Sequence, residues 1–144
     1  MDAYFDSAII VKLYVKEATS PDAIRLVAAH VAPYLLTQWQ TLEVGNAVRL
    51  KAFRKEITAV EMNESIAAFE QDIATGRWQR PGYTSAAVEQ KADELSATHS
   101  AVLGCRTLDI IHVAAAIVIG TKEFVTFDGR QGALAKHAGL TVKP

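Results

Sequence analysis

One carboxylate inside an apolar segment constrains this chain most. Asp109 follows Leu108 and precedes residues 110–119, where His112 is the only polar side chain. Burial of an unpaired carboxylate costs on the order of several kcal/mol. A helix over residues 107–119 that buries this segment must therefore give Asp109 a partner. The partner is either a cation or Arg106, three residues earlier on the same helix.

Apolar runs and capping signals predict strands that alternate with helices. Such alternation is typical of one α/β domain, here over residues 1–144, with a central parallel sheet flanked by helices. The predicted strands are residues 3–5, 34–37, 123–127 and 140–142, with a short one near Trp78. The predicted helices are residues 8–15, 20–32, 41–55, 58–74, 85–99, 107–119 and 131–138.

Acidic residues fall where the predicted strands meet helices. Asp6 and Asp128 each follow a strand directly, while Glu43 and Asp109 lie early in helices. Taken singly, Asp6 reads as a helix cap, Glu43 as a surface charge and Asp128 as a turn residue. Ligands of open parallel sheets bind beyond the carboxyl ends of the strands. Together, the four carboxylates predict a site for a hard divalent cation, Mg²⁺ or Mn²⁺.

Charge and composition exclude several classes of protein. A formal net charge of −1 argues against coating nucleic acid by bulk electrostatics, but not against a nuclease, whose acidic site is neutralised by metal. The single cysteine, Cys105, excludes an internal disulfide, and the N-terminus lacks a signal-peptide pattern. We therefore expect a cytoplasmic protein with no membrane segment. Motifs of serine hydrolases, P-loop nucleotidases and dinucleotide enzymes are absent from the sequence.

Four short segments, each containing one of the acids, occur in a characteristic order. They are residues 4–14 around Asp6, 41–47 around Glu43, 106–116 around Asp109, and 124–128 ending at Asp128. In this order and spacing they resemble the PIN-domain ribonucleases, and within these the VapC-type toxins of bacterial toxin–antitoxin pairs. The resemblance extends over nearly the whole chain and omits about residues 58–99.

The resemblance implies a fold, a reaction and partners. The fold would be a three-layer α/β/α arrangement, and the reaction a metal-dependent cleavage of RNA. Asp6, Glu43, Asp109 and Asp128 would bind Mg²⁺ or Mn²⁺ and act in catalysis. A homodimer and a small antitoxin protein would be the partners.

Neighbouring residues would support these acids. Ser7 and Thr126 are expected to orient waters or carboxylates. Arg106 would either contact phosphate or hold Asp109. Two other functions stay open: a PIN-fold module that binds RNA or protein without cleaving it, and a phosphotransfer receiver. The receiver is disfavoured because the chain lacks an acidic pair after its first strand and a lysine after a late strand.

RNA-binding residues are predicted in two places. Arg49 and Arg54 belong to a basic cluster that is either a solvated helix end or a track for phosphates. Arg77 and Arg80 flank Trp78, whose ring would stack on a base.

Overall fold

Short parallel strands alternate with helices in this computed structural model, which describes residues 2–144. The strands are β1 (Ala3–Phe5), β2 (Tyr34–Leu35), β3 (Trp78–Gln79), β4 (Glu123–Val125) and β5 (Thr141–Lys143). The helices are α1 (Ser7–Tyr14), α2 (Ser20–Ala28), α3 (Gln38–Phe53), α4 (Ala59–Ala74), α5 (Ser85–Leu95), α6 (Ala101–Leu103), α7 (Thr107–Ile119) and α8 (Gly129–His137), with a π-helical turn at Ser96–Ser100. The described residues form two units. The first contains residues 2–6 and 81–144, and the second contains Ser7–Arg80.

The first unit contains residues 2–6 and 81–144 and is built on a three-stranded parallel sheet in the order β1-β4-β5. The register pairs Phe5 with Val125 and Val125 with Lys143. Tyr4 and Phe124, neighbours in this register, are fully buried and stack with ring centroids 5.4 Å apart. Fully buried apolar positions are typical of parallel strands covered by helices.

Helices surround this sheet. Helix α7 packs against α5 and α8, and α8 packs against β4 and β5. The buried positions of α7 include Ile110 and the run Val113–Ala116, whose small side chains allow close packing. Gly120 ends α7 in a left-handed conformation with φ of 88°, as expected for a glycine C-cap. His112, on the same helix, is a core histidine whose Nδ1 lies 2.7 Å from the Tyr4 hydroxyl.

The second unit, Ser7–Arg80, contains α1 to α4 and a two-stranded parallel ladder of β2 and β3. Trp78 is buried in this ladder opposite Tyr34, and its Nε1 donates a hydrogen bond to the Tyr14 hydroxyl at 2.7 Å. That hydroxyl donates in turn to Asp72 Oδ2 at 2.6 Å. Burial and the hydrogen bond to Asp72 raise the pKa of Tyr14 above its ordinary value, so the phenol stays protonated.

The structure confirms a mixed α/β chain with a parallel sheet surrounded by helices. It differs from the sequence prediction of one sheet, because the strands pair in two separate ladders. Helix α3 begins at Gln38 rather than residue 41, since Thr37 and Gln40 form a capping box. Helix α2 ends at Ala28, four residues earlier than predicted, and α5 changes into a π-helical turn at Ser96. No helix within residues 2–144 has the length and apolar character needed to cross a bilayer.

An ion-pair network in the second unit gives a pH-dependent prediction. Glu17 accepts hydrogen bonds from Lys12 of α1 and Lys51 of α3. Burial alone would raise the pKa of Glu17, but the two lysines outweigh burial and hold that pKa below the ordinary value of a glutamate. A carboxylate whose pKa is depressed by folding stabilises the fold above its unfolded pKa, and this stabilisation is lost as pH falls through the folded pKa.

Replacement of Glu17 by glutamine should therefore lower the free energy of unfolding at pH 7 by about 1 kcal/mol. The difference from wild type should shrink below about pH 4, where Glu17 is increasingly protonated in the wild-type protein. Urea unfolding of both proteins at neutral pH and at acidic pH measures this difference in free energy. Glu70→Gln, at an exposed position of α4, is the control. An equal loss at both pH values would contradict this explanation.

Candidate active site

Asp6 and Thr126 meet at the carboxyl ends of β1 and β4. Since Phe5 pairs with Val125, the next residues of the two strands lie side by side. The Asp6 backbone N–H donates to Val125 O at 2.9 Å, and the Thr126 hydroxyl donates to Asp6 Oδ2 at 2.9 Å. Both side chains are buried. A backbone hydrogen bond thus holds the Asp6 main chain, and the Thr126 hydroxyl contacts its carboxylate, the kind of contact through which Thr126 is predicted to orient an acid.

Asp128 continues this chain of hydrogen bonds. Its backbone N–H donates to the Thr126 hydroxyl at 2.9 Å. Its Oδ1 accepts from the backbone N–H groups of Arg130 and Gln131 at 2.9 and 3.1 Å, so it is the N-cap of α8. This cap explains why α8 begins at Gly129 rather than at the predicted residue 131.

Asp109 lies in the first turn of α7 and is 8% exposed. Its Oδ2 accepts from Arg106 Nε at 2.9 Å, and its Oδ1 accepts from Gln131 Nε2 at 3.4 Å. Both oxygens of this buried carboxylate therefore accept hydrogen bonds. The partner that the sequence predicts for Asp109 is Arg106, together with Gln131. Of the two predicted roles of Arg106, pairing with Asp109 is the one present in the structure.

Arg106 and Gln131 each contact both Asp109 and Asp128. Besides its bond to Asp109, Arg106 donates from Nη2 to Asp128 Oδ2 at 3.1 Å. Gln131 contacts Asp109 through its side chain and Asp128 through its backbone N–H. The result is a closed ring of four residues, which we call the carboxylate ring: Asp109, Arg106, Asp128 and Gln131.

Charge in the carboxylate ring is partly balanced. The hydrogen bond to Asp109, followed by the attraction of Asp109 and Asp128, raises the pKa of the Arg106 guanidinium. The Arg106 side chain is nevertheless 62% exposed, so its charge is accessible to solvent and to ligands. With Asp6 joined through Thr126, three carboxyl groups and one guanidinium belong to this hydrogen-bonded series, and the guanidinium contacts two of the three.

Gln131 is the site residue that the sequence analysis missed. It lies three positions after the cap residue Asp128, which is the position of the Glu or Gln in a capping box. That spacing is typical of a side chain that caps the Asp128 backbone N–H, but this N–H donates to the Thr126 hydroxyl instead. It did not indicate contact with Asp109, because residues 22 positions apart are joined only by the tertiary fold.

Glu43 and Ser7 belong to the second unit. Ser7 Oγ donates to Glu43 Oε1 at 3.2 Å, and Ser7 is buried while Glu43 is half-buried. Glu43 lies in the second turn of α3, because that helix begins earlier than predicted. The role of Glu43 as a fourth acid stays a prediction from the sequence.

The predicted RNA-binding residues differ in exposure. Arg49, Arg54, Arg77 and Arg80 are exposed. Arg77 is already engaged, since its Nη1 donates to Asp72 Oδ2 at 3.0 Å and its guanidinium lies 5.8 Å from the centre of the Tyr34 ring. Trp78 must be corrected: it is 1% exposed and packs on Tyr34 at 5.2 Å, so its ring has no face available to a base.

The donor atoms at the site suit a hard divalent cation. Carboxylate and amide oxygens are the ligands of Mg²⁺ and Mn²⁺, and the buried Gln131 Oε1 lacks a hydrogen-bond partner beside Asp109. The arrangement of these atoms, however, does not form a metal site. Among residues 2–144, no three His, Cys, Asp or Glu side chains are grouped so as to hold a metal ion. In this conformation the positive charge at Asp109 and Asp128 comes from Arg106.

Comparison with known proteins adds no assignment. No protein-family model matches the chain, and no curated protein matches it.

Proposed function

We propose that this protein is a divalent-metal-dependent endoribonuclease that cleaves RNA phosphodiester bonds. The observation that supports it best is a hydrogen-bonded series of three carboxylates. Asp6 and Asp128 follow the adjacent parallel strands β1 and β4, and Asp109, in the first turn of α7, is joined to Asp128 through Arg106. Asp6 and Asp109 are buried. Burial of a carboxylate costs free energy, and buried acids with specific partners are typical of catalytic sites.

The side chains would have distinct tasks. When bound, Mg²⁺ or Mn²⁺ supplies a Lewis acid that activates water and stabilises charge on a phosphodiester. Asp6 and Asp109 are the proposed ligands, and Asp128 would contribute an outer oxygen while it caps α8. Thr126 holds the orientation of Asp6 through its hydroxyl. The side chain of Arg106 is mostly exposed. It would release Asp109 and bind the RNA phosphate instead.

A groove beside the site gives space for the nucleic acid. It has a volume of about 680 Å³ and is lined by Thr126, Asp128, Gly132, Lys136 and residues of β5. Lys136 is exposed on α8 and would add a positive charge along this groove. Arg49, Arg54 and Arg80 stay proposed contacts to RNA elsewhere on the protein, and Arg77 would have to release Asp72 to act as one.

The biological setting rests on the resemblance alone. We infer that the fold is the three-layer α/β/α fold of PIN domains, and that the protein is the toxin of a type II toxin–antitoxin pair in the cytoplasm. On the same basis it would form a homodimer and bind a small antitoxin protein. The assignment of Glu43 as a fourth catalytic acid has this basis too.

Cleavage of RNA by the purified protein tests the proposal. A mixed pool of single-stranded and stem-loop RNAs should be cut in Mg²⁺ or Mn²⁺ and left intact in excess EDTA. Asp6→Asn, purified in parallel, controls for host nucleases. Cleavage that survives EDTA, or that is equal in Asp6→Asn, would refute the proposal.

A second candidate is a PIN-fold module that binds RNA or protein without cleaving it. The pairing of Arg106 with both Asp109 and Asp128 favours it, because a guanidinium there already satisfies the two carboxylates. Such a module would retain RNA in a gel-shift experiment equally well in EDTA and in Mn²⁺, and would leave the RNA uncut.

A further inference from the structure

The last turn of α3 exposes an aromatic ring. Phe53 is 82% exposed, more than any other aromatic side chain within residues 2–144. Leu50, three residues earlier on the same face of the helix, is exposed as well. A phenyl ring in this position contributes little to the stability of the fold, because it buries little apolar surface. The residues around it therefore decide whether it has a ligand.

Three cations accompany this ring. Arg49 lies one helical turn before Phe53, and Arg54 and Lys55 follow it directly. All three are exposed, and their side chains form no ion pair or hydrogen bond with another residue in the part of the chain that the structure describes. Other cations of this unit do have acidic partners: Lys12, Arg25, Lys51 and Arg77. We call Arg49, Phe53, Arg54 and Lys55 the basic face.

The acids that follow in the chain are engaged elsewhere. Glu56 lies 3.3 Å from Lys51 Nζ, and Glu61 accepts a hydrogen bond from the Thr58 backbone N–H at 3.2 Å as part of the cap of α4. These two acids and Lys55 line a concave space of about 390 Å³ between the end of α3 and the start of α4, a size typical of ligand pockets. The basic face thus keeps its positive charge beside an open space.

Lys55 has a backbone conformation that L-residues rarely adopt. Its φ is 60°, and it is the one residue other than glycine with a positive φ among residues 2–144. Lys55 N–H donates to Ala52 O at 3.0 Å and Glu56 N–H donates to Lys51 O at 2.9 Å, which is the pattern of a helix end that commonly carries glycine. A left-handed lysine costs stability that glycine would not, and such conformations are concentrated at functional sites.

We propose that the basic face binds single-stranded RNA, with Phe53 stacked on a base and the three cations in contact with phosphates. The inference rests on the proposed function and names a binding surface for its substrate. Single-stranded RNA offers both anions at regular spacing and flat π faces, which are the two groups that this surface lacks. A protein partner with an apolar surface would cover Phe53 but leave the cations without anions. A solvated helix end would account for Arg54 and Lys55 but not for the exposed ring.

Phe53→Leu removes the ring and keeps an apolar side chain. Affinity for a fluorescein-labelled single-stranded RNA of mixed sequence, measured by anisotropy in EDTA, should fall about 5-fold or more, because leucine cannot stack on a base. Phe53→Trp should bind at least as tightly as wild type, since its π face is larger. Ile24→Ala, at an exposed apolar position of α2, is the control and should bind like wild type. The Tm of all three variants should stay close to that of wild type.

Lys55→Gly separates the charge from the backbone strain. Glycine adopts the left-handed conformation freely, so the Tm should rise by a few degrees. Affinity for the same RNA should fall about 3-fold or more, and the slope of log affinity against log salt concentration should decrease in magnitude by about 0.7, because one phosphate contact is lost. Lys122→Ala removes one positive charge at an exposed position before β4 and should leave affinity and slope unchanged.

The outcomes distinguish this inference from the proposed function. Unchanged RNA affinity in Phe53→Leu or in Lys55→Gly would overturn the inference, while Mn²⁺-dependent cleavage by wild type would leave the ribonuclease proposal intact. If light scattering shows that Phe53→Leu converts a dimer into a monomer at unchanged RNA affinity, the basic face is a contact between two copies and the inference is wrong. Wild type that binds RNA as expected but cleaves none in Mn²⁺ would refute the proposed function and retain this inference. Wild type that neither binds nor cleaves RNA would refute both.

Discussion

Exchange of Asp109 for asparagine is expected to lower the rate of metal-dependent RNA cleavage by at least about 10²-fold. Both oxygens of Asp109 accept hydrogen bonds, one from Arg106 and one from Gln131. Asparagine has one acceptor oxygen, so its amide group must face one of these donors. The exchange therefore removes a negative charge and also disturbs the orientation of the side chain.

Single-turnover cleavage in Mn²⁺ measures this effect without a contribution from product release. Asp93→Asn, at an exposed position of α5, makes the same chemical change outside the site and should retain the wild-type rate. Asp6→Asn should resemble Asp109→Asn. The asparagine has one carbonyl oxygen, so it loses either the acceptor for the Thr126 hydroxyl or an oxygen that would bind the metal. Wild-type rates for Asp109→Asn would refute the assignment of this acid.

Exchange of Trp78 for alanine is expected to reduce the free energy of unfolding by about 3–5 kcal/mol. The indole is 1% exposed, packs against Tyr34 and donates to the Tyr14 hydroxyl. Its removal would leave a cavity beside β2 and β3 and take away one of the hydrogen bonds of Tyr14. Folded domains are stable by roughly 5–15 kcal/mol, so this loss would be a large share of the total.

Urea unfolding of Trp78→Ala and of Trp39→Ala measures this loss. Trp39 is half-buried, so its exchange should cost less. Trp78→Phe should cost less as well, since it keeps an aromatic ring against Tyr34 and loses mainly the hydrogen bond, worth about 1 kcal/mol. Weaker RNA binding by Trp78→Ala at unchanged stability would reinstate the stacking role predicted from the sequence.

Local signals in the sequence predicted most elements of the fold. Helix α7 was predicted with its observed bounds, because an apolar face and a C-terminal glycine mark it. The predicted start of a helix was wrong where the prediction missed its capping residue. Thr37 and Gln40 cap α3, which begins three residues before its predicted start. Asp128 caps α8, which begins two residues before its predicted start. Both caps use ordinary capping residues, so the signals were present but were assigned to other roles.

Tertiary contacts were beyond the reach of sequence patterns. The pairing of β2 with β3 in a ladder of their own depends on packing in the second unit rather than on either strand's composition. The arginines beside Trp78 predict a ring that stacks on a base, yet its partners Tyr14 and Tyr34 come from distant positions and bury it. The contact between Gln131 and Asp109 is of the same kind.

The carboxylate ring has a consequence for how ligands would influence one another. Arg106 is an internal counterion that Asp109 and Asp128 share. Under the proposed function, a cation that bound Asp109 would weaken the contact of Asp109 with Arg106, and the freed guanidinium would become more available to an RNA phosphate. By thermodynamic reciprocity, RNA bound to Arg106 would then raise the affinity of Asp109 for the cation by the same factor. The two ligands would then bind cooperatively through ion exchange at one side chain, without movement of the β1-β4-β5 sheet.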